Sequence, residues 1–166
     1  NVMRGYLGMP DKTAEVLKEG WYDTGDIVRM DEEGYLWIEG RLSRFSKIGG
    51  EMVPHGNVEE ALNDLANQDV QVFAVTGVPD EKKGEQLLVI HTADEELLHE
   101  VLKKLSDAPI PNLWKPKAGQ FFSVSKLPYL GTGKLDLKGL QRIAEEANAA
   151  PSPESEHLHS SIHRSP

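Results

Sequence analysis

Cysteine is absent from all 166 residues of the chain. This absence excludes a disulfide framework, a thiolate nucleophile and a zinc site with cysteine ligands. Long apolar runs are missing as well, since no stretch approaches the roughly 20 apolar residues that a membrane-spanning helix needs. A globular fold around a hydrophobic core is the class that remains.

Positive charge is also scarce. The chain has 18 lysine and arginine residues against 27 aspartate and glutamate residues, a formal net charge of −9. A surface of that sign repels DNA and RNA, so we expect no nucleic acid among the partners. Its length suits one domain with a fragment of another, and 39% of its residues are hydrophobic. The first residues resemble mid-protein sequence rather than a signal peptide, so we expect a piece of a longer protein.

Two runs of β-forming residues flank an acidic turn near the start of the chain. Ile27–Met30 and Tyr35–Ile38 are separated by Asp31–Gly34, which ends in glycine. This pattern predicts a β-hairpin.

The middle of the chain predicts a helix followed by two strands. Asn57 can cap the helix, since Glu60 follows three residues later and apolar residues recur at helical spacing after it. Residues 70–76 and 87–92 are apolar and rich in β-branched side chains, which indicates strands. Residues 77–80 (GVPD) between them read as a turn.

The last third predicts two more helices and a short strand. Asp94 can cap a helix whose leucine and valine residues between positions 97 and 105 form one apolar stripe. Residues 121–125 indicate a strand and residues 137–146 a helix. From Asn148 onward, proline, serine and histidine dominate without periodicity, so we expect a disordered tail or a cloning remnant. The fold class predicted for the whole chain is α+β.

Two charged residues at the ends of the predicted hairpin are candidates for binding a ribose. Asp26 follows the turn Trp21–Gly25 (WYDTG), and a carboxylate there can accept two hydrogen bonds from vicinal hydroxyls. Arg41 follows Gly40 and can present a guanidinium fork to hydroxyls or phosphate. Taken alone, both observations also fit an ordinary turn and a surface arginine.

Two lysine-containing loops are candidates for chemistry. Lys47 precedes Gly49–Gly50, which can allow close backbone approach because neither residue has a β-carbon. Lys134 ends the run Gly131–Lys134 (GTGK), which resembles a nucleotide-hydrolase phosphate loop only superficially. That loop needs a glycine five residues before its Gly-Lys pair and serine or threonine after the lysine, where this chain has Pro128 and Leu135. An ordinary hairpin turn and a solvated loop are the alternatives for the two lysines.

Three islands together resemble the C-terminal part of an adenylate-forming ligase: residues 21–26 (WYDTGD), residues 40–53 (GRLSRFSKIGGEMV) and residues 127–136 (LPYLGTGKLD). Enzymes of that family join a carboxylic acid to the AMP of ATP and then transfer the acyl group. The similarity covers roughly residues 1 to 147. It implies an α+β lid domain, a short sheet packed with helices, preceded by a β-hairpin from the end of the large domain.

The resemblance also implies roles for particular residues. Asp26 would bind the ATP ribose and Arg41 the nucleotide, while Ser43 would occupy the hinge, where most relatives have aspartate or lysine. Lys134 would bridge the substrate carboxylate and the α-phosphate during adenylation. The loop of the second half-reaction would contain Lys47 and, along the thiol channel, Gly49, Gly50 and Glu51.

The implied domain boundaries leave most of the enzyme outside this chain. Residues 1–42 would end the large AMP-binding domain, residues 43–147 would be the mobile C-terminal domain, and residues 148–166 would be the tail. The ligands of Mg²⁺, the adenine pocket and the acyl tunnel belong to the large domain. We therefore expect ATP and Mg²⁺ to act in the complete protein and the isolated chain to be inactive.

Within the family, the islands look most like bacterial acyl-acyl-carrier-protein synthetases that also acylate 2-acylglycerophosphoethanolamine. The implied partners are a fatty acid, acyl carrier protein or CoA, the protein's own large domain and, through an upstream part, the cytoplasmic face of the inner membrane. No histidine here is followed by aspartate five residues later, so the acyltransferase signature is absent from this chain. An acyl-CoA synthetase and a non-catalytic module that docks carrier protein remain alternatives.

Overall fold

The computed structural model describes residues 3–149, which form two compact units that meet in sequence between Arg44 and Phe45. The boundary predicted from the sequence lies two residues earlier, after residue 42. The first unit contains helix α1 (Pro10–Val16), strands β1 (Leu17–Lys18), β2 (Trp21–Tyr22), β3 (Asp26–Met30) and β4 (Leu36–Arg41), and a 3-10 turn at Leu42–Arg44.

Strands β3 and β4 pair antiparallel and confirm the predicted hairpin. Asp31 closes its turn, because one carboxylate oxygen accepts a hydrogen bond from the Tyr35 amide at 2.8 Å. The other oxygen accepts from the Trp37 indole at 2.7 Å, and this hydrogen bond lowers the pKa of Asp31. No residue of this unit between positions 3 and 44 is buried, and its apolar side chains, such as Met30 and Ile38, lie open.

The second unit is an α+β domain around a mixed five-stranded sheet. Its elements are β5 (Phe45–Ile48), β6 (Glu51–Pro54), α2 (His55–Ala66), β7 (Phe73–Asp80), β8 (Gly84–His91), α3 (Glu95–Leu105), β9 (Phe121–Ser123) and α4 (Leu137–Ala149). The strand order is β6-β5-β8-β7, and β9 runs parallel to β8 beside its last residues. This confirms the predicted fold class.

Helices cover both faces of the sheet, so strand β7 is buried from Phe73 to Val78. Phe73 and Val75 pack toward α2 and α3 in one apolar cluster. Ala74 and Val78 pack toward Leu140 on α4 in the second cluster. A strand with two covered faces loses the alternating pattern of a half-exposed strand, which explains its continuous apolar sequence.

The predicted turn at residues 77–80 is wrong. Strand β7 continues through Asp80, and the reversal occurs at residues 81–83. Val78 is fully buried and would lose that burial in an exposed turn. The Asp80 carboxylate makes the turn instead, because it accepts hydrogen bonds from the amides of Lys82 and Lys83 at 3.0 and 2.8 Å.

The predicted cap of the first helix of this domain is also wrong. Helix α2 begins at His55, two residues before Asn57, and its N-cap position is Pro54 without a side-chain hydrogen bond. A buried hydrogen bond between Ser46 and His55, 2.8 Å long, ties this helix start to strand β5. Tertiary contact has therefore overridden the local capping signal.

Other boundaries differ by a few residues. The predicted strand at 70–76 begins only at Phe73, because Val70 is 71% exposed, and the strand at 121–125 ends at Ser123. The cap at Asp94 is confirmed, since its carboxylate accepts from the Leu97 amide at 2.9 Å. Helix α4 extends through Ala149, and residues 150–166 of the predicted tail lie outside the described residues.

Candidate functional site

Asp26 and Arg41 form an ion pair in the first unit. Their strands pair so that the two residues face each other directly, and Arg41 Nε lies 2.9 Å from Asp26 Oδ1. Arg41 Nη1 also donates a hydrogen bond to the Thr24 carbonyl at 2.8 Å. The Asp26 carboxylate has a second oxygen and the Arg41 side chain is 63% exposed. The pair can therefore accept and donate further hydrogen bonds to a ligand with hydroxyl groups.

The turn before Asp26 holds this carboxylate in place. Gly25 has a φ of +67°, which favours glycine, and its amide donates to Asp23 at 3.0 Å. The Thr24 hydroxyl accepts from the Asp26 amide at 3.2 Å. In the same motif, a hydrogen bond with Tyr6 raises the pKa of Tyr22.

Ser43 lies in the 3-10 turn Leu42–Arg44, the last element of the first unit. Its side chain is exposed, and the boundary between the two compact units follows one residue later. The Leu42 amide donates to the Gly25 carbonyl at 2.7 Å, which joins this turn to the Asp26 motif. A hinge at Ser43 remains a prediction.

Lys47, Gly49, Gly50 and Glu51 belong to one tight hairpin formed by β5 and β6. Gly49 and Gly50 have φ angles of +58° and +91°, the conformation that two-residue hairpin loops with two positive angles require. A β-carbon on either glycine would meet nothing within 4 Å among the described residues. The backbone conformation of the turn therefore accounts for these glycines without a close approach by another part of the fold.

Two backbone contacts attach this hairpin to strand β8 and its turn. The Lys47 amide donates to the Glu85 carboxylate, and the Gly49 amide donates to the Lys83 carbonyl at 3.0 Å. The Lys47 side chain points away from the core and is exposed. Its ammonium group is thus presented at the end of the sheet where β7 turns into β8.

Lys134 lies on a short loop whose backbone is closed on itself. The Leu130 amide donates to the Lys134 carbonyl at 2.8 Å, and the Gly133 amide donates to the Leu130 carbonyl at 2.9 Å. Gly133 has a φ of +78°, and Tyr129 pairs with Leu135 across the loop. A cation on such a loop is displayed to solvent with little backbone freedom.

The base of this loop is anchored in the domain. Leu127 before it and Leu140 after it are both buried in the cluster beneath α4. The Asp136 amide donates to the Pro128 carbonyl at 2.9 Å, and the Asp136 carbonyl accepts from Leu140. Gly139 leaves room for this arrangement, because a β-carbon there would lie 2.7 Å from Asp136 Oδ2.

The structure does not bring Lys134 and Lys47 together. The Lys134 loop contacts Gln71 through Tyr129 at 3.4 Å, next to the beginning of β7. The Lys47 hairpin contacts Lys83 and pairs with Gly84 at the other end of that strand pair. Eight residues of β-strand separate these ends by roughly 23 Å, at about 3.3 Å per residue. The two lysine loops therefore lie near opposite ends of this strand pair.

The histidines outside the tail do not form a site. His55 and His91 are buried, and His99 is exposed. Burial lowers the pKa of His91, whose ring packs against Phe73 and Phe121. Within residues 3–149 no cluster of three or more potential metal ligands is found, and no helix has the length and apolarity to cross a bilayer. His157, His159 and His163 lie outside the described residues.

Comparison with known proteins defines the class of this fold. No protein-family model matches the chain. ATP-bound MatB from Rhodopseudomonas palustris superposes with a TM-score of 0.65 and 29% sequence identity, over 88% of this chain and 29% of MatB. The second unit is thus a small α+β domain of the kind found at the C-terminus of adenylate-forming ligases.

The sequence relatives agree with this class. Feruloyl-CoA synthase from Amycolatopsis sp is 37% identical over 146 residues, which are 84% of this chain and 28% of that enzyme. Long-chain-fatty-acid–CoA ligase from Bacillus subtilis is 35% identical over 136 residues, 81% of this chain and 24% of that ligase. The chain is similar to these adenylate-forming acyl- and aryl-CoA ligases and spans less than a third of their length.

Two residues that contact the Lys47 hairpin, Glu85 and Trp114, have no motif in the sequence that predicts this role. The Glu85 carboxylate accepts a hydrogen bond from the Lys47 amide, and the Trp114 indole donates one to Glu51 at 3.2 Å. Both contacts join residues far apart in the chain, so no local pattern predicts them. The only sequence signal is a tryptophan between Pro111 and Pro116, where the chain has few conformations available.

Proposed function

We propose that the chain is the C-terminal part of an ATP-dependent fatty acid ligase that forms an acyl-adenylate and transfers the acyl group to the thiol of acyl carrier protein. Residues 1–42 would end the large AMP-binding domain and the rest of the described chain would be its lid. The complete protein would also acylate lysophosphatidylethanolamine through an upstream domain at the cytoplasmic face of the inner membrane.

One observation carries the ligase proposal: the exposed lysines Lys134 and Lys47 lie at opposite ends of the same sheet. A ligase of this class performs two chemically different steps, adenylation and acyl transfer. A lid with one lysine loop at each end can serve both steps if it presents first one end and then the other to the acyl group. Rotation at the exposed Ser43 would supply that reorientation.

In the first step, Lys134 would act electrostatically. Negative charge develops on the α-phosphate as pyrophosphate leaves, and an ammonium group placed there stabilises it. Asp26 would accept hydrogen bonds from the ribose hydroxyls of ATP, and Arg41 would hold both the carboxylate and the nucleotide. Magnesium would neutralise the phosphates through ligands in the upstream domain.

In the second step, the hairpin at Lys47 would border the path of the acceptor thiol. The Gly49–Gly50 tip has no side chains, which leaves space for a slender pantetheine arm beside the backbone. The thiol would attack the carbonyl carbon of the acyl-adenylate, form the carbon–sulfur bond and release AMP. The thiol proton would pass to solvent water, because the hairpin is exposed.

A second candidate is an acyl-CoA synthetase. It is favoured by the relatives, since feruloyl-CoA synthase and long-chain-fatty-acid–CoA ligase are both named for CoA thioesters. Acyl carrier protein is proposed instead because of the motif resemblance between residues 40 and 53. The net charge of −9 disfavours docking of an acidic carrier, so local cations such as Arg44 and Lys47 would have to attract it.

The acceptor decides between the two. The complete protein would be incubated with ATP, Mg²⁺ and a labelled long-chain fatty acid, with holo-acyl carrier protein or CoA as acceptor at equal concentration. Faster labelling of carrier protein supports the proposal, and faster labelling of CoA supports the acyl-CoA synthetase. If the complete protein forms no acyl-adenylate with fatty or aryl acids, both ligase candidates are refuted. A non-catalytic docking module is then the remaining candidate.

A further inference from the structure

The Lys47 hairpin is held from two sides by residues outside its own sequence motif. On one side, the amides of Lys47 and Gly49 donate hydrogen bonds to Glu85 on strand β8 and to Lys83 in the turn before it. On the other side, Trp114 Nε1 donates a hydrogen bond to Glu51 Oε1 at 3.2 Å. These contacts flank the two glycines at the tip, whose own positions carry no side chain that could fix them.

Trp114 itself is firmly anchored. It is half-buried and packs against the apolar cluster formed by α2, α3 and β7. Its backbone amide donates to the Pro111 carbonyl at 2.9 Å, and the neighbouring Lys115 ammonium donates to the Ser106 carbonyl at 2.7 Å. Pro116 follows and is buried. The indole is therefore a donor with a fixed position rather than a mobile surface group.

We propose that Trp114 is a positioning residue for the acyl-transfer step. Its indole N–H orients the Glu51 carboxylate and thereby keeps the Gly49–Gly50 tip in the conformation past which the acceptor thiol moves. This inference rests on the proposed function and adds a residue to it. Trp114 acts through Glu51 and need not touch the acyl group or the acceptor.

The expected effect is confined to one half-reaction. Glycine has the largest backbone freedom of any residue, so a tip of two glycines keeps one conformation only if its flanks are held. Acyl transfer depends on the orientation of the reacting groups, and a looser tip slows it. The Lys134 loop lies at the other end of the sheet, so adenylation should keep its rate.

The contact can be tested on this chain by NMR of the indole N–H groups. The chain has three tryptophans, and Trp37 donates to Asp31 as Trp114 does to Glu51. Glu51→Ala should shift one indole signal, the one that is missing in Trp114→Phe, and leave the other two unchanged. Asp31→Ala is the matched control and should shift the Trp37 signal. If Glu51→Ala shifts none of the three, the inference is wrong.

The role is tested in the complete ligase by measuring the two half-reactions separately. Trp114→Phe should slow single-turnover transfer from preformed acyl-adenylate about 3- to 10-fold, the effect of losing one ordinary hydrogen bond, because the Glu51 end of this contact is exposed to water. Adenylate formation should stay within about twofold. Thr76→Val removes a different hydrogen bond of the same domain, 2.6 Å long, and should slow neither step.

Variants of Glu51 make the test independent of any packing defect at Trp114. Glu51 is exposed, so Glu51→Ala should fold and slow transfer as Trp114→Phe does. Glu51→Gln keeps an acceptor oxygen and should restore most of the rate. Combining Glu51→Ala with Trp114→Phe should add little, since both remove one contact. Equal losses in the two half-reactions, or a transfer rate unchanged from wild type, would overturn the inference. A wild-type enzyme that forms no acyl-adenylate would overturn the proposed function instead.

Discussion

Asp26 and Arg41 face each other across strands β3 and β4, with Arg41 Nε 2.9 Å from Asp26 Oδ1. The pair lies on an open hairpin, where an ion pair contributes at most about 1 kcal/mol to stability. The energetic value of these residues would then lie in binding a ligand. A nucleotide ribose has two vicinal hydroxyl groups, which can donate hydrogen bonds to a carboxylate.

Asp26→Asn should raise the KM for ATP of the complete ligase about 10- to 100-fold, the effect of losing hydrogen bonds to a charged group. Glu39→Gln is the matched control, since Glu39 pairs with Arg29 at 3.1 Å on the same hairpin. Steady-state kinetics at varied ATP concentration would measure both. An equal KM for ATP in Asp26→Asn and Glu39→Gln would exclude ribose binding by Asp26.

Gly77→Ala should destabilise the second unit by about 1–3 kcal/mol. Gly77 lies in buried strand β7, and a β-carbon there would come within 1.9 Å of Ser46 Oγ and 3.2 Å of its β-carbon. The overlap would break the buried hydrogen bond between Ser46 and His55. Urea denaturation of this chain measures the free energy of unfolding.

Two further variants calibrate that measurement. Gly56→Ala lies in helix α2 with nothing within 4 Å of the added β-carbon, and should be neutral or stabilising. Ser46→Gly should reduce the cost of Gly77→Ala, because it removes the side chain that the new methyl group meets. Unchanged stability of Gly77→Ala would show that strand β5 can move away from this position.

Much of the fold follows from local sequence signals. The hairpin around Asp31 and the cap at Asp94 depend on residues within six positions, and both predictions are confirmed. The prediction of a turn at Gly77–Asp80 is wrong because these residue types fit both a turn and the end of a strand. The burial of Val78 decides in favour of the strand. Helix α2 begins at His55 rather than after Asn57, because His55 is held by its hydrogen bond with Ser46, nine positions away.

The candidate site divides in the same way. Asp26 and Arg41 meet because a hairpin joins them, so the sequence could predict that they lie close. The separation of Lys47 from Lys134 depends on the order of strands in the sheet, and the contact of Trp114 with Glu51 spans 63 positions. Neither relationship follows from spacing along the chain, because both depend on the packed domain.

The pH dependence of stability should carry a contribution from His91. Burial lowers the pKa of this histidine, so the unfolded chain binds its proton more readily than the folded chain. The contribution to stability is therefore complete above the ordinary pKa near 6.5 and is lost as the pH falls toward the depressed value. His91→Leu should flatten the decline in the free energy of unfolding measured by urea denaturation between about pH 7 and 5. If the free energy of unfolding declines identically in the variant, titratable groups other than His91 cause the decline.

The most direct test of the ligase account concerns Lys134. Lys134→Ala in the complete protein should lower the rate of adenylation about 10²- to 10³-fold. The rate is measured as the exchange of labelled pyrophosphate into ATP that requires the carboxylic acid substrate. Lys126→Ala, at another exposed lysine of the same domain, is the control and should retain the wild-type rate. A Lys134→Ala enzyme that exchanges pyrophosphate as fast as the control would contradict the central claim that this loop takes part in adenylation.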